Sequence, residues 1–142
     1  MNKISPRPHM AYAAVICFFA VPFTACGGPQ LNRYDATTYQ NLTYEKPEVL
    51  ALYDSFGTDP INDGKVNDVG LKLSQIHEYE AGKGAGNIDM THQVESIQKL
   101  FQKHVSERRR DGAWNATNLT NHKETISEAF DIAIKTEQAK NK

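Results

Sequence analysis

From residue 47 onward, the large apolar side chains recur in steps of three and four, and this spacing limits the fold more than any other feature. The clearest example is the series Val66, Val69, Leu73 and Ile76. The 3.6-residue period of an α-helix places residues at these steps on one face. Strict alternation of apolar and polar residues, typical of a half-buried strand, does not compete with this pattern. The chain is therefore predicted to be all-α.

The pattern divides into four amphipathic helices, over about residues 47–56, 65–80, 90–110 and 121–139. Pro47 suits the first position of the first helix, and Asp89 is a plausible N-cap of the third. Short loops between amphipathic helices favour neighbouring antiparallel packing. We therefore expect a small four-helix domain, either a bundle or two stacked helix-loop-helix pairs, over residues 47–142.

The predicted core is thin for four helices. Each inner face holds about four or five large apolar side chains, and each such side chain contributes roughly 1.5–3 kcal/mol when it is buried. This gain barely exceeds the conformational entropy lost on folding. A homodimer, which would bury a second apolar strip, is therefore expected.

The first 25 residues have a different character. Residues 1–9 contain Lys3 and Arg7 and no acid, and residues 10–23 are almost wholly apolar. A basic start followed by a short apolar run is typical of a secretion signal. The run is too short to span a bilayer comfortably as a helix, which needs about 20 apolar residues. We therefore expect the chain to be exported.

The apolar run ends in Phe-Thr-Ala-Cys-Gly-Gly at residues 23–28. This segment resembles a bacterial lipobox, in which small residues precede a cysteine that is lipidated and becomes the new N-terminus. Phe23 departs from the usual leucine. The resemblance implies a signal peptide over residues 1–25, with lipidated Cys26 opening a flexible tether over residues 26–46. The alternatives are a plain signal cleaved near Ala25, with Cys26 as a free thiol, and an uncleaved anchor.

The residue after the cysteine bears on location. In lipoproteins an aspartate at this position resembles an inner-membrane retention signal, and here the position holds Gly27. The resemblance therefore implies a chain that faces the periplasm and is anchored by Cys26, with the outer membrane favoured.

Export and lipidation would leave few groups for catalysis. Cys17 would be removed and Cys26 would carry lipid, so the folded domain would have no thiol nucleophile, disulfide or cysteine metal site. Two of the 16 basic residues would leave while all 17 acids stay, which changes the net charge from -1 to -3. A charge this small and mixed does not suggest nucleic acid as a partner. No Gly-x-Ser-x-Gly motif occurs. We predict no catalytic residue and no enzymatic activity.

Residues 59–70 resemble a calcium-binding EF-hand loop. When Asp59 is counted as position one, Asp63 and Asn67 fall at ligand positions five and nine. Ile61 and Gly70 stand where the third ligand and the bidentate glutamate are required. Two missing oxygen ligands should make calcium binding weak or absent, so no cofactor is expected. The alternative is an ordinary turn that caps the next helix.

Two histidine–glutamate pairs lie one helical turn apart. They are His92 with Glu95 and His104 with Glu107. Each pair could share a metal ion, but no three ligands cluster in the sequence and no His-Glu-x-x-His motif occurs. Exposed or hydrogen-bonded histidines are the expected outcome.

Three loops and one charged run are candidates for protein binding. The Asp111–Asn118 loop carries the chain's single tryptophan, and aromatic anchors of this kind often fill partner pockets. The Gly82–Asn87 loop, the acidic Asp59–Asp68 loop and the arginine run at residues 108–110 are further candidates. The residues proposed as partner contacts are Trp114, Asn115, Arg109, Lys83 and Asn87. The alternatives are that Trp114 folds down to cap the bundle and that the arginines form a solvated helix end.

In overall plan, the chain is similar to small helical immunity proteins that protect bacteria against peptidoglycan-cleaving amidase effectors of type VI secretion. The resemblance rests on the export signal and the small helical domain, and no family motif is matched residue by residue. It implies an inhibitor that occludes the active site of an effector. The alternatives are a structural or assembly lipoprotein of an envelope secretion or conjugation machine, and a degenerate EF-hand-like calcium module.

Overall fold

The computed structural model describes residues 33–140, which form four α-helices and two short 3-10 turns. The helices are α1 (Ala36–Asp54), α2 (Asp63–Ala81), α3 (Ile88–Asp111) and α4 (Ala116–Ala139), and the turns are Ser55–Gly57 and Ala85–Asn87. The prediction of an all-α four-helix domain is confirmed. The predicted signal peptide and the lipidation residue Cys26 lie outside the described residues.

The helices pack as an up-down-up-down bundle. α1 and α3 each pack against both α2 and α4. The Thr38 hydroxyl near the start of α1 donates to Glu80 near the end of α2, at 2.7 Å. The backbone N–H of Asp35, just before α1, donates to Glu137 near the end of α4, at 2.6 Å. The start of α1 therefore lies beside the ends of α2 and α4, which makes these neighbours antiparallel.

The core is one continuous cluster between the helices. All four predicted seam residues of α2 are buried in it, and so are the apolar residues at helical spacing in the predicted first helix, Val49, Leu52, Tyr53 and Phe56. The largest fully buried side chains are Tyr53, Phe56 and Phe130. The rows of apolar residues at helical spacing in the sequence are therefore the surfaces by which the helices pack.

α1 begins at Ala36, eleven residues before the predicted start at residue 47. The prediction of a flexible tether is therefore wrong for residues 36–46. The Asp35 carboxylate accepts a hydrogen bond from the Thr37 N–H at 2.8 Å and caps the helix. Pro47 lies inside the helix, where its lack of an N–H removes one backbone hydrogen bond. The inner face of these early turns contains two polar residues, which hid the helical spacing.

The other helix starts also differ from the predictions. α3 begins after Asn87, so Asp89 lies in the first turn instead of at the N-cap. α4 begins at Ala116 because the Asn115 side chain accepts from the Asn118 N–H at 2.9 Å. The loop between α3 and α4 is therefore shorter than the predicted Asp111–Asn118 segment. The short loop holds the two long helices close together beside the C-terminal end of α1.

Candidate functional site

Lys83 and Asn87 were predicted as partner contacts, but both are engaged inside the bundle. The Lys83 ammonium pairs with Asp35 at 2.7 Å and with Glu80 at 3.0 Å. The Asn87 amide donates to the fully buried Glu80 carboxylate at 2.8 Å. Asn87 is buried, so the prediction that it contacts a partner is wrong for this conformation. Lys83 keeps 20% of its side-chain surface exposed, so its contact with a partner stays a prediction. Both side chains neutralise and solvate a buried glutamate, which would otherwise carry a large desolvation cost.

Asp35 belongs to the same polar cluster and shows how strongly these charges interact. Burial alone would raise the pKa of Asp35. Side-chain hydrogen bonds from Lys83 and Tyr79, together with the Thr37 N–H, outweigh burial and hold the pKa well below its usual range. This cluster links the N-terminal end of α1 to the C-terminal end of α2. We assign it a structural role.

Trp114 is buried, with 6% of its surface exposed. Its backbone N–H donates to the Phe56 carbonyl at 2.9 Å. Its ring meets Phe56 edge-on with centroids 5.1 Å apart, and it stacks on His122 at 4.2 Å. The prediction that Trp114 anchors a partner is wrong for this conformation, and the alternative, that it caps the bundle, is confirmed.

His104 lies under the Trp114 cap and is also buried. Its Nδ1 is 2.9 Å from the Tyr53 hydroxyl, and its ring is 4.3 Å from that of His122. Burial, followed by the nearby His122 and Lys103, lowers the pKa of His104 to about 4. The imidazole is therefore neutral at pH 7.

The remaining predicted contact residues, Asn115 and Arg109, differ in how their side chains are engaged within the bundle. Asn115 caps α4. Arg109 is half-exposed and pairs with Asp63 at 2.6 Å. Its neighbour Arg108 is buried and donates to the backbone carbonyls of Phe56 and Thr58. Among the predicted contacts, Arg109 therefore keeps a half-exposed charged group. Within the arginine run, Arg108 has a structural role.

The EF-hand interpretation of residues 59–70 is wrong, because α2 begins at Asp63, only five residues into the proposed loop. The Asn62 side chain caps this helix by accepting from the Lys65 N–H at 3.0 Å. Asp59 forms an ion pair with Arg108 of α3 at 2.6 Å. Asp63 forms one with Arg109 of the same helix, also at 2.6 Å. Asn67 is exposed on α2. The two carboxylates are thus engaged by arginines, and the alternative, a helix-capping turn, is confirmed.

An open concavity lies between α1 and α2, and we call it the α1–α2 groove. Its volume is about 500 Å³. Buried apolar side chains form its floor, an exposed leucine stands at its edge, and charged residues of both signs alternate around its rim. The lining residues are Glu48, Ala51, Leu52, Lys65, Asp68, Val69, Leu71, Lys72 and Gln75.

Leu71 is the feature of the groove that sequence analysis missed. It is 61% exposed and stands outside the buried seam of α2. Its position in the sequence indicated its exposure, because a leucine outside the buried face of an amphipathic helix is not expected to pack in the core. Lys72 beside it forms an ion pair with Glu48 across the groove. The groove therefore presents an exposed apolar group beside an ion pair that links α1 to α2.

Glu45 lies in α1 one turn before Glu48 and is buried, with 4% of its surface exposed. Its Oε2 is 4.0 Å from the Lys72 ammonium, and its Oε1 has no hydrogen-bond partner among the described residues. Burial raises the pKa of Glu45 to about 7; the charge of Lys72 opposes the shift and that of Glu48 adds to it. A carboxyl group that titrates near neutral pH therefore lies next to the groove.

The chain matches no family model, no curated protein and no solved structure. None of the helices within residues 33–140 is both long and apolar enough to cross a membrane. Function is therefore inferred from the N-terminal sequence motif and from the surfaces of the described bundle.

Proposed function

We propose that the chain is an exported, lipid-anchored inhibitor that binds a protein partner through the α1–α2 groove and catalyses no reaction itself. The partner class we propose is a peptidoglycan-cleaving effector, such as an amidase, that acts in the periplasm. The sequence before Cys26 supports export and anchoring. The small helical plan supports the comparison with immunity proteins.

The observation that carries the binding proposal is the α1–α2 groove itself. It combines a floor of Leu52 and Val69 with the exposed Leu71, and its rim holds two acids and two lysines. An apolar centre surrounded by polar groups is the usual arrangement at protein interfaces. A stable interface buries about 800 Å² on each partner, so the groove would form its centre and neighbouring helix surfaces would complete it.

The rigidity of this surface favours inhibition by occlusion. Both walls are helices whose other faces are fixed in the bundle core, so binding would order little additional chain. A rigid surface that covers the substrate cleft of an effector would block substrate access without forming or breaking any bond. Loss of a central contact should act mainly by raising the dissociation rate.

Location is part of the same proposal. A lipid on Cys26 would hold the bundle at a membrane surface facing the periplasm, with the outer membrane favoured because Gly27 follows the cysteine. An effector that cuts peptidoglycan acts in this compartment. Anchoring would therefore concentrate the inhibitor where the substrate of the effector lies.

Photo-crosslinking followed by an enzyme assay tests the proposal. A photoreactive residue replaces Leu71 in the full chain, expressed in the bacterium that encodes it, and the crosslinked partner is identified by mass spectrometry. The matched control places the same residue at Ile132 on α4, which is exposed to a similar degree, 52%. The identified partner is then purified and incubated with peptidoglycan, with and without the chain.

We expect a partner that crosslinks from position 71 but not from position 132, that cleaves peptidoglycan and that is inhibited by equimolar chain. L71E should weaken inhibition at least about tenfold, because it places a charge against an apolar contact, whereas I132E should not. A partner without peptidoglycan-cleaving activity would overturn the effector proposal. A component of an envelope machine would favour the structural or assembly alternative.

Homodimerisation stays a prediction. Light scattering on the full chain in detergent tests it independently of any partner. Crosslinks between two copies of the chain through position 71 would mean that the groove is a dimer interface, which would count against its use as an effector site.

A further inference from the structure

Three side chains able to bind a metal ion converge on the α3–α4 side of the bundle. His104 and Glu107 lie one turn apart on α3, and His122 lies in the second turn of α4. One potential ligand atom from each residue lies within 4.8 Å of the other two. The Nε2 of His122 is 4.0 Å from Oε2 of Glu107. The chain folds these residues together, although His122 is distant from the other two in sequence.

The orientation of His104 is fixed by a neighbour on a third helix. Its Nδ1 is within hydrogen-bond distance of the Tyr53 hydroxyl on α1, at 2.9 Å, and both side chains are buried. If Nδ1 carries the proton and donates to the phenol oxygen, the Nε2 lone pair is free to bind a metal. Ligating histidines in metal sites usually make this type of outer hydrogen bond, which sets both the tautomer and the ring angle.

His122 is also held in place, by stacking on Trp114 with ring centroids 4.2 Å apart. Glu107 and His122 keep 24% and 26% of their side-chain surfaces exposed, whereas His104 is buried. The cluster is therefore closed on the side of His104 and open to solvent on the other. An ion could enter from solvent, and one coordination position would stay open.

We propose that His104, Glu107 and His122 bind one divalent transition-metal ion, with Zn²⁺ as the best match to the ligand set. Two imidazole nitrogens and one carboxylate oxygen are ligands typical of zinc sites that keep an open fourth position. Calcium and magnesium prefer sites made entirely of oxygen ligands. The bound ion would link α3 to α4 beside the Trp114 cap.

The distances require only local movement. Ligand atoms at about 2.0–2.1 Å from a tetrahedral zinc ion lie roughly 3.4 Å from one another. Each pair of atoms must therefore approach by up to about 1.4 Å, and the partly exposed side chains of Glu107 and His122 can rotate to achieve this. Lys103 lies 3.9 Å from the Glu107 carboxylate and is largely exposed, so it can move away. The site uses different helices from the α1–α2 groove and does not depend on the proposed partner.

A metal titration tests the proposal. The full chain, without an affinity tag, is purified in detergent, stripped with a chelator and titrated with Zn²⁺ against a coloured competitor at pH 7.5. The test variants are E107Q and H122Q. The matched controls are E95Q and H92Q, which change the other histidine–glutamate pair at one-turn spacing on the same helix. Circular dichroism verifies that each variant keeps its helix content.

A second readout uses Co²⁺ in place of Zn²⁺. The absorption of Co²⁺ between 500 and 700 nm distinguishes tetrahedral from octahedral coordination, and this ion also quenches nearby tryptophan fluorescence. Trp114 is the chain's single tryptophan and stacks on a proposed ligand. Quenching at one equivalent would therefore report binding at this site in the unmodified chain.

We expect one zinc ion per chain, quenching of Trp114 by one equivalent of Co²⁺, and at least a tenfold loss of affinity in E107Q and H122Q, with no comparable loss in the controls. Absence of stoichiometric binding by the unmodified chain would overturn the proposal. Equal affinities of the test variants and the unmodified chain would overturn it as well.

Discussion

Replacing Glu45 with glutamine should stabilise the bundle increasingly as pH rises. The folded chain holds the pKa of Glu45 at about 7, against an ordinary value of 4.5. Because the folded pKa is the higher one, the folded chain binds more protons than the unfolded chain between these two values. Ionisation therefore favours unfolding, and the stability that this group contributes is lost as pH rises through the window.

The size of the effect follows from the two pKa values. Each tenfold difference in proton affinity corresponds to about 1.4 kcal/mol, so the raised pKa of Glu45 should lower the free energy of unfolding by about 2 kcal/mol at pH 6 and about 3 kcal/mol at pH 8, relative to a neutral side chain. E45Q remains neutral and avoids this cost. Its advantage over the unmodified chain should be small near pH 4.5 and should reach its full value above pH 7.

The assay is urea unfolding followed by circular dichroism at half-unit steps from pH 4.5 to pH 8.5. The quantity compared is the difference in unfolding free energy between E45Q and the unmodified chain. His104 has a lowered pKa and makes both chains less stable as pH falls from 6.5 towards 4, but this contribution cancels in the difference. E124Q, which changes an exposed glutamate of α4, is the control and should give a flat curve. A difference for E45Q that does not grow with pH would refute the reasoning.

Three further predictions concern a buried arginine and two glycines of the bundle. R108M should destabilise the chain by about 2–4 kcal/mol in urea unfolding, because it leaves the carbonyls of Phe56 and Thr58 without their donor, whereas R109M should stay within about 0.5 kcal/mol. G112A should cost about 1–3 kcal/mol of unfolding free energy, because Gly112 has a φ of 80° and a ψ of -163°, which side-chain-bearing residues rarely adopt. G70A should have the opposite sign and gain up to about 1 kcal/mol, because its new Cβ in α2 would lie 3.7 Å from Phe101, an ordinary contact. A change in unfolding free energy of the opposite sign, in any of these three variants, would contradict the argument made for it.

The sequence predicted α2 well because its four inner positions from Val66 to Ile76 are all apolar. It missed the first three turns of α1 because two inner positions there are Thr38 and Glu45. The Thr38 hydroxyl is satisfied by Glu80, 42 residues further along the chain. A local pattern cannot reveal such a partner, so these turns looked like a polar tether.

The errors in the predicted contact sites have the same origin. An acidic loop and an arginine run are each visible in the sequence, but their pairing, as in Asp63 with Arg109, depends on α2 and α3 being antiparallel neighbours. A tryptophan in a polar loop can either bind a partner or cover the core. Trp114 covers the core because the Phe56 carbonyl and the His122 ring are placed to receive it by the bundle itself.

The α1–α2 groove and the histidine cluster illustrate what three-dimensional structure adds. Leu71 was visible as a leucine outside the seam, but its exposure beside charged residues required the packing of α1 against α2. His104 and Glu107 were visible as a pair at one-turn spacing. The third member of the cluster, His122, comes from a separate helix, and its approach depends on the short connection between α3 and α4.

Export and anchoring through Cys26 underlie the proposed function, because an inhibitor of peptidoglycan cleavage must reach the periplasm. Intact mass spectrometry of the chain recovered from fractionated membranes tests this most directly. The account predicts a chain that has lost residues 1–25 and carries a lipid on the cysteine at its new N-terminus. A cytoplasmic chain that retains these residues and has no acyl group on Cys26 would contradict it.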